Sequence, residues 1–334
     1  MPVQEARVLE EGGGGQQVVM IQEGHDLTAG HRQGGGMKTP EKVLVLGVTG
    51  MLGHKMFQVL HRDYPEIVGT MRGRLGDPRY APIEALEGAS IIQNFDGRDL
   101  DGIGKLLLDY RPDVVVNCIG AIKQRAEAAD PVTSIQLNSV LPHAVARTLA
   151  PWGGRLIHFS TDCVFSGNRG NYTEDDPSDA EDIYGKSKYL GEALTGSSLV
   201  LRTSIIGREL VYQDSLLEWF LSRNHGTAKG FTRAWWSGVT TIHLSGLVSD
   251  IIRTKPELAG LYQVSSGRIS KYDLLCLLRD AYALDVDITP DAELFCDRSL
   301  TGDRLREAIG YVSPAWPELI QELVNDPTEY DRQH

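Results

Sequence analysis

Short apolar runs alternate with longer amphipathic segments along the chain from Lys42 onward. The runs are rich in β-branched residues, as buried strands are, and the longer segments repeat apolar residues at helical spacing. This alternation predicts an α/β fold in which helices flank a doubly wound, Rossmann-like parallel sheet of about six strands. The predicted strands are Val43–Leu46, Ile67–Thr70, Ile91–Gln93, Val114–Asn117, Arg155–Ser160 and Leu199–Thr203. The predicted helices are Leu52–His61, Asp99–Tyr110, Pro131–Leu149 and Tyr184–Leu194.

The same pattern divides the chain into three parts. Residues 1–36 contain two glycine runs and little apolar periodicity, so we expect a disordered extension, and Met37 offers an alternative start. Residues 37–207 hold the predicted sheet. In residues 208–334 the alternation loosens, and we expect mainly a smaller C-terminal lobe that covers a substrate. Its predicted elements are the helices Ser215–Ser222, Ile242–Ile252, Lys271–Ala281 and Pro317–Val324 and the strands Leu261–Val264 and Val286–Ile288.

Length and composition exclude several classes of protein. The 334 residues are 41% hydrophobic, which is enough for a sizeable core. No apolar run approaches the roughly 20 residues that span a bilayer, and no secretion signal is visible, so we expect a soluble cytoplasmic protein. The net charge of −12 and the lack of a Lys/Arg cluster argue against nucleic-acid binding. The four cysteines form no C-x-x-C pair, and they predict neither a metal site nor disulfides.

A glycine-rich turn joins the first predicted strand to the first helix. Its glycines have the spacing G-x-x-G-x-x-G. In such a turn the first glycine adopts a positive φ, the second lets the backbone approach a pyrophosphate, and the third lets the helix pack closely on the strand. The helix N-terminus offers free N–H groups to the phosphates, so the turn predicts a dinucleotide site. The candidate cofactor-binding residues here are Gly47, Thr49, Gly50, Met51, Leu52 and Gly53.

Positions after the next strands extend this cofactor site. Arg72 stands near the end of the second strand, where an acidic residue would hold the ribose of NAD. Arg72 can instead pair with the 2′-phosphate of NADP, although a solvated surface arginine is an equally good interpretation. We therefore expect NADPH, with NADH as the alternative. Asp96 is placed to border the adenine, and Cys118, Ile119 and Gly120 follow the fourth strand where a ribose would lie.

A tyrosine and a lysine supply the candidate acid–base chemistry. Tyr184 and Lys188 are four residues apart, so they share one face of a helix. We expect the ammonium to lower the pKa of the phenol, which can then give a proton to a carbonyl oxygen or take it back. Ser160 or Thr161, at the carboxyl edge of the sheet, can hydrogen-bond the same oxygen. The candidate catalytic residues are Thr161, Tyr184 and Lys188.

At these residues the sequence resembles the extended short-chain dehydrogenases/reductases, and within them the dTDP-4-dehydrorhamnose reductase family. The segment from Ser160 to Gly167 is similar to that family's S-T-D-x-V-F-x-G loop, and Tyr184 to Glu192 to its Y-G-x-S-K-x-x-G-E block. Leu201 to Ser204 resembles its L-R-T-S strand. The resemblance implies NAD(P)H-dependent reduction of the 4-keto group of a nucleotide-linked 6-deoxy-4-ketohexose, a step in the synthesis of a surface-polysaccharide precursor. Tyr184 would donate the proton, Lys188 would hold the nicotinamide ribose, and Thr161 would assist at the substrate oxygen.

The substrate side of the site departs from the family pattern. Cys163 replaces an aromatic residue and Ile205 stands where the family often has Trp, so the hexose or the nucleotide can differ. The candidate substrate-binding residues are Asp162, Trp236, Val239 and Arg298. Core packing is an equally good interpretation for Trp236 and Val239, and Arg298 can be either a ligand of the substrate diphosphate or a solvated side chain. The expected partner is a nucleotide sugar, and the sequence leaves a homodimer open.

Two alternatives to a reductase remain from the sequence. A related epimerase or dehydratase needs the same glycine turn and Tyr/Lys pair, but a dehydratase adds Asp-Glu after the threonine, whereas Thr161 is followed by Asp162 and Cys163. The other alternative is a regulatory subunit, because the family resembles the β subunit of methionine adenosyltransferase. The intact Tyr184 and Lys188 favour catalysis.

Overall fold

A seven-stranded parallel sheet forms the centre of the protein, in the computed structural model that describes residues 40, 42–77, 90–122, 130–193, 195–211 and 213–330. The predicted extension, residues 1–36, lies outside the described residues. The strands of the described part are β1 (Val43–Leu46), β2 (Val68–Thr70), β3 (Ser90–Ile92), β4 (Val114–Asn117), β5 (Arg155–Thr161), β6 (Leu199–Thr203), β7 (Ile205–Ile206), β8 (Gly226–Phe231), β9 (Ala234–Trp236), β10 (Val239–Thr240), β11 (Gly260–Gln263), β12 (Ile269–Ser270), β13 (Val286–Asp291) and β14 (Cys296–Asp297). The helices are α1 (Met51–Asp63), α2 (Leu100–Tyr110), α3 (Pro131–Ile135), α4 (Leu141–Leu149), α5 (Ile183–Leu190), α6 (Leu216–Leu221), α7 (Thr241–Thr254), α8 (Lys271–Ala281), α9 (Asp303–Ile309) and α10 (Trp316–Val324).

The order of the strands in the central sheet is β11-β6-β5-β4-β1-β2-β3, and every neighbouring pair is parallel. The strand order reverses between β1 and β4, which is where open α/β sheets bind ligands at their carboxyl edge. The prediction of a doubly wound α/β fold is confirmed. The glycine turn after β1 and the loop after β4 therefore meet at this point.

Helices cover both faces of the sheet, which explains the nearly continuous apolar runs in its strands. Val43 and Val45 point to one face and share a core with α1 and α7, whereas Leu44 and Leu46 point to the other face and share a core with α2 and α4. All four side chains are at most 1% exposed. This burial on both sides fixes the sheet as a rigid platform for the loops at its carboxyl edge.

Two predictions about the elements were wrong. The strand expected at Leu261–Val264 was placed in the second lobe, but β11 pairs with β6 and belongs to the main sheet, and α7 packs with α1. The chain leaves the sheet after β6 and returns later, and such a return leaves no trace in local periodicity. The single helix predicted over Pro131–Leu149 is interrupted by a π-helical turn at Gln136–Val140.

The second lobe has its own core. It contains the parallel pair β8 and β13, the three-stranded sheet β12-β9-β14, and helices α6, α8 and α10. Its apolar centre includes Phe220, Leu274 and Leu319, and Trp236 stacks on Trp316 with ring centroids 5.1 Å apart. None of the helices in the described ranges combines the length and apolarity needed to cross a bilayer.

Candidate functional site

The glycine turn has the geometry that the sequence predicted. Gly47 has φ +85°, and its N–H donates to the Thr70 carbonyl at 3.2 Å. A Cβ atom on Gly53 would lie 1.9 Å from the Gly47 carbonyl oxygen, so glycine is required for α1 to approach the strand. A Cβ atom on Gly50 would meet only the Gly47 oxygen among described atoms, at 3.7 Å. The backbone at Gly50 is therefore open on the side where a pyrophosphate would lie.

The remaining residues of the turn lie at the start of α1. Gly50 is the N-cap, and no side chain in the described part of the chain caps this helix. Met51 and Leu52 form its first turn, and Thr49 precedes the cap. The unpaired N–H groups of a first helical turn are donors for an anion. The turn therefore fits a dinucleotide phosphate.

The loop after β4 closes the other side of the switch point. The Cys118 N–H donates to the Leu46 carbonyl at 3.0 Å, and the Ile119 side chain packs on Gly47. A Cβ atom on Gly120 would lie 3.0 Å from Asn138 Oδ1 and 3.8 Å from Lys188 Nζ. This loop therefore connects the predicted cofactor turn with the predicted catalytic helix.

Arg72 and Asp96 lie near each other after β2 and β3. The Asp96 carboxylate accepts from Arg98 at 2.5 Å, and its pKa is lowered chiefly by Arg98 and to a smaller extent by Arg72. Since Arg98 already compensates this carboxylate, Asp96 does not leave a free negative charge beside Arg72. The local field is compatible with a phosphate on the adenosine ribose.

The two candidate hydroxyls at the end of β5, those of Ser160 and Thr161, have different hydrogen-bonding partners. Ser160 Oγ donates to Glu192 Oε1 at 2.8 Å, and Glu192 in turn forms a buried bidentate pair with Arg202 at 2.7 and 2.8 Å. Thr161 Oγ1 accepts from the Cys163 N–H at 3.1 Å and donates to Asp162 Oδ1 at 3.2 Å. Ser160 is thus committed to the Glu192–Arg202 pair, whereas Thr161 bonds the turn that leads from β5 towards α5.

Tyr184 stands beside Thr161 because α5 packs directly on the turn after β5. A Cβ atom on Gly185 would lie 2.2 Å from the Cys163 carbonyl oxygen, which shows how closely the two segments approach. The Asp182 side chain caps α5 by accepting from the Gly185 N–H at 2.8 Å. The Thr161 side chain lies close enough to Tyr184 to lower the pKa of its phenol. The structure therefore brings the two predicted catalytic groups together.

The expected lowering of the Tyr184 pKa by Lys188 was wrong for this arrangement. Burial raises the pKa of the phenol well above its usual value, Cys163 acts in the same direction, and the neighbouring Thr161 side chain lowers the pKa by less. Lys188 Nζ donates to the Phe159 carbonyl at 2.5 Å, and burial lowers the pKa of Lys188 to about 8. A phenol with a raised pKa is fully protonated at neutral pH, which is the form that a proton donor needs.

The four predicted substrate residues lie in different surroundings. Asp162 is buried beside Thr161, and burial raises its pKa. Arg298 Nε donates to the Phe165 carbonyl at 2.8 Å, and Arg298 lies within electrostatic range of Asp162. Trp236 is 3% exposed, and Val239 is 0% exposed in the main core. The packing interpretation therefore describes Val239, whereas Asp162 and Arg298 lie together near Thr161.

Sequence reasoning missed two residues of this site, Asn138 and Lys271. Asn138 lies in the π-helical turn and is wholly buried between the Gly120 loop and α5. The sequence feature that could have identified Asn138 is its place as a polar residue on the apolar face of the predicted helix Pro131–Leu149. Lys271 is the first residue of α8, and it lies within electrostatic range of Asp162 and Cys163. The sequence feature that could have identified Lys271 is a cation in the first turn of a predicted helix, where the helix dipole disfavours positive charge.

Residues 41–290 match the family model for the RmlD substrate binding domain. The chain belongs to this family. Its expected place among the extended short-chain dehydrogenases/reductases is thereby confirmed. The RmlD-family match covers the sheet, the glycine turn, the Tyr184 helix and most of the second lobe.

The known proteins to which this RmlD-family chain is similar include beta subunits of methionine adenosyltransferase 2 and dTDP-4-dehydrorhamnose reductases. Methionine adenosyltransferase 2 subunit beta of Rattus norvegicus is 25% identical over 308 residues, covering 84% of this chain and 88% of the relative. The dTDP-4-dehydrorhamnose reductase of Streptomyces griseus is 28% identical over 167 residues, 48% of each chain. The solved dTDP-4-dehydrorhamnose reductase of Bacillus anthracis, in complex with NADP, has a TM-score of 0.71 and 21% identity and covers 85% of this chain and 98% of that one. These comparisons agree on the fold.

Proposed function

We propose that this protein uses NADPH to reduce the 4-keto group of a nucleotide-linked 6-deoxy-4-ketohexose in the synthesis of a surface-polysaccharide precursor. The observation that carries the proposal is the meeting of Thr161, Tyr184 and Lys188 beside the Gly120 loop. The open backbone at Gly50 and the uncapped N-terminus of α1 fit the cofactor phosphates. The similar Bacillus anthracis structure contains NADP, and Bordetella bronchiseptica WbmG, with a TM-score of 0.71 and 18% identity, contains NAD and UDP.

The chemistry follows from the protonation states of the site. A bound reduced nicotinamide would supply the hydride to the carbonyl carbon, and Tyr184 would donate its phenolic proton to the oxygen on which negative charge develops. Thr161 would hydrogen-bond the same oxygen, and Lys188 would hold the cofactor ribose. The phenol is protonated at neutral pH, which is the form that donates a proton in the direction of reduction.

Cys163 separates this proposal from a dehydratase. A dehydratase of this class would need a second carboxylate at this position to act as a base. Burial, with Asp162 acting in the same direction, raises the pKa of the Cys163 thiol to about 12, so it is a neutral thiol at physiological pH. A neutral thiol does not replace a carboxylate base, which supports the reductase over the dehydratase.

The test is a panel of nucleotide-linked 4-ketohexoses, with NADPH oxidation followed by absorbance. The expected result is turnover of at least one sugar by the unaltered protein and its loss in Tyr184→Phe. A panel in which NADPH binds but no sugar is reduced, while a known reductase consumes the same sugars, would contradict the proposal. Exchange at other sugar carbons without net NADPH consumption would indicate an epimerase instead.

A regulatory subunit is the second candidate function. It is favoured by the methionine adenosyltransferase 2 subunit beta relatives, which match 84% of this chain, whereas the Streptomyces griseus reductase matches 48%. Such a subunit would bind a methionine adenosyltransferase catalytic subunit and change its kinetics. Sedimentation of a mixture of the two proteins, together with the sugar panel, separates the candidates, since a regulatory subunit forms the complex and leaves the sugars unreduced.

A further inference from the structure

Lys271 occupies a position that its packing alone does not account for. It is the first residue of α8, and its Nζ lies 4.1 Å from the centroid of the Trp236 ring. The side chain is half-buried, and burial lowers its pKa to about 8. A cation in the first turn of a helix also opposes the helix dipole. The position of the Lys271 ammonium is therefore unfavourable for two reasons, its partial burial and its place at the positive end of the helix dipole. Contact with the Trp236 ring offsets only part of this free-energy cost.

The ammonium has three donors and no hydrogen-bonding partner among the described residues. Within those ranges it forms no ion pair shorter than 4 Å either, although Asp162 and Cys163 lie within electrostatic range. A half-buried ammonium still reaches solvent, so a ligand can reach it too. An ammonium with free donors in a cleft is suited to an oxyanion.

Arg298 adds a second cation to the same cleft. Its Nε donates to the Phe165 carbonyl, which anchors the guanidinium, and its other two nitrogens have no hydrogen-bonding partner among the described residues. Arg298 and Lys271 lie within electrostatic range of each other, and both interact electrostatically with Asp162. Lys271 and Arg298 both lie within electrostatic range of the buried Asp162, and Arg298 also lies within range of Asp182, so two cations meet next to Thr161 in a chain whose net charge is −12.

We propose that Lys271 and Arg298 form a subsite for an oxyanion of the substrate, and that Lys271 is a specificity-determining residue of this site. The inference rests on the proposed function, because it takes the cleft beside Thr161 as the substrate site. Two sources supply such an oxyanion: the diphosphate, which every nucleotide sugar carries, or a carboxylate on the sugar, which a hexuronate carries and a 6-deoxyhexose lacks, so that this second outcome would change the sugar of the proposed function. Sugar and diphosphate are adjacent in one molecule, so both fall within the same cleft.

The variants are Lys271→Met, which keeps an apolar stem over Trp236 and removes the charge, and Lys271→Arg, which keeps the charge. Lys271→Met is expected to fold, since it removes a half-buried charge that has no hydrogen bond or ion pair within the described residues. Lys229→Met is the matched control, because the Lys229 side chain is 72% exposed on β8 of the same lobe. The ligands are UDP and dTDP, measured by calorimetry, and UDP-glucose and UDP-glucuronate, measured by competition. NADPH affinity is measured in every variant.

If the diphosphate is the oxyanion, Lys271→Met weakens UDP or dTDP binding by about ten- to hundred-fold, and Lys271→Arg restores much of it. If the carboxylate is the oxyanion, UDP binding stays the same and the preference for UDP-glucuronate over UDP-glucose falls by that factor. NADPH affinity and the Lys229→Met control stay unchanged in both cases. Affinities for all four ligands that are the same in Lys271→Met and the unaltered protein would overturn the inference.

The proposed function and the subsite fail in different ways. A protein that binds these ligands through Lys271 but reduces no sugar would overturn the reductase and keep the subsite. A protein that reduces a nucleotide sugar with the same KM before and after Lys271→Met would keep the reductase and overturn the subsite.

Discussion

Asn138 Nδ2 donates to Ser187 Oγ at 3.1 Å, one residue before Lys188. The same side chain exchanges two hydrogen bonds with Ala121: its Oδ1 accepts from the Ala121 N–H at 2.9 Å, and its Nδ2 donates to the Ala121 carbonyl at 3.2 Å. One buried amide thus fixes the loop that carries Gly120 relative to the helix that carries Lys188. The π-helical turn places it there, in agreement with the frequent occurrence of such turns at functional sites.

Asn138→Ala is expected to lower the turnover of the folded protein, and not only its stability, because the substitution releases both the Gly120 loop and α5. We expect a rise in the Kd of NADPH of about ten-fold or more, from the loss of several buried hydrogen bonds that position the cofactor loop. Ser139→Ala is the matched control, since Ser139 Oγ also bonds α5, at the Ser187 carbonyl, but does not touch the Gly120 loop. Equal NADPH affinities in the two variants would show that Asn138 has no positioning role.

Tyr184→Phe is expected to lower turnover by roughly 10²–10⁴-fold, the usual contribution of general acid catalysis, while NADPH affinity and thermal stability are retained. Lys188→Met should lower turnover and also weaken NADPH binding, because the ammonium would lose its ribose contact. The double variant should not show the product of the two losses, since both groups serve one proton-transfer unit. Steady-state kinetics and fluorescence titration of NADPH measure these effects. Near-normal turnover in Tyr184→Phe would contradict the mechanism.

Much of the fold could be predicted because burial on both faces leaves a clear pattern. Residues such as Val43 to Leu46 form an uninterrupted apolar run, and the bounds predicted for β1, β4 and β6 match the structure. The return of the chain to the sheet at β11 could not be predicted, because pairing between Gly260 and Leu199 depends on tertiary contacts and not on local periodicity.

The site was predictable where chemistry requires a fixed spacing, and less so where it depends on packing. The spacing of Gly47, Gly50 and Gly53 and of Tyr184 and Lys188 is set by turn and helix geometry, and the structure places these residues in the predicted turn and helix. The sign of the Tyr184 pKa shift depends on how deeply the phenol is buried and, to a smaller extent, on the nearby Cys163, which no spacing reveals.

Arg72→Ala is expected to remove a preference for NADPH over NADH. In the unaltered protein Arg72 would pair with the 2′-phosphate, and a charge-assisted contact of this kind favours NADPH by about ten-fold or more. Arg253→Ala is a suitable control, since Arg253 is 56% exposed on α7 and pairs with Asp250. The Kd of each cofactor is measured by fluorescence titration. The same affinity of the unaltered protein for NADPH and NADH would refute the role of Arg72.

His158, in the middle of β5, makes the stability of the protein sensitive to acid. Its ring is 0% exposed, Nδ1 accepts from Asn117 Nδ2 at 3.2 Å, and Nε2 has no partner among the described residues. Burial lowers the His158 pKa well below its usual value, and Lys188 acts in the same direction. The folded protein therefore keeps the ring neutral at a pH where the unfolded chain binds a proton. Below about pH 6.5, the unfolded state takes up a proton that the folded state refuses, so the free energy of unfolding falls as the pH falls.

The expected size of this effect is about 1.4 kcal/mol per pH unit for one histidine. His158→Asn keeps an acceptor for Asn117 and removes the titrating ring, so its free energy of unfolding should fall less steeply between pH 6.5 and 5. Urea unfolding of both proteins at several pH values measures the slopes. His54, whose pKa burial lowers to about 4, contributes in the same direction and is present in both proteins, so it cancels in the comparison. Above pH 7 the two curves should run parallel, because the ring is then neutral in both states. Parallel curves below pH 6.5 as well would mean that His158 takes up its proton in the folded state, and that burial in β5 does not keep its ring neutral.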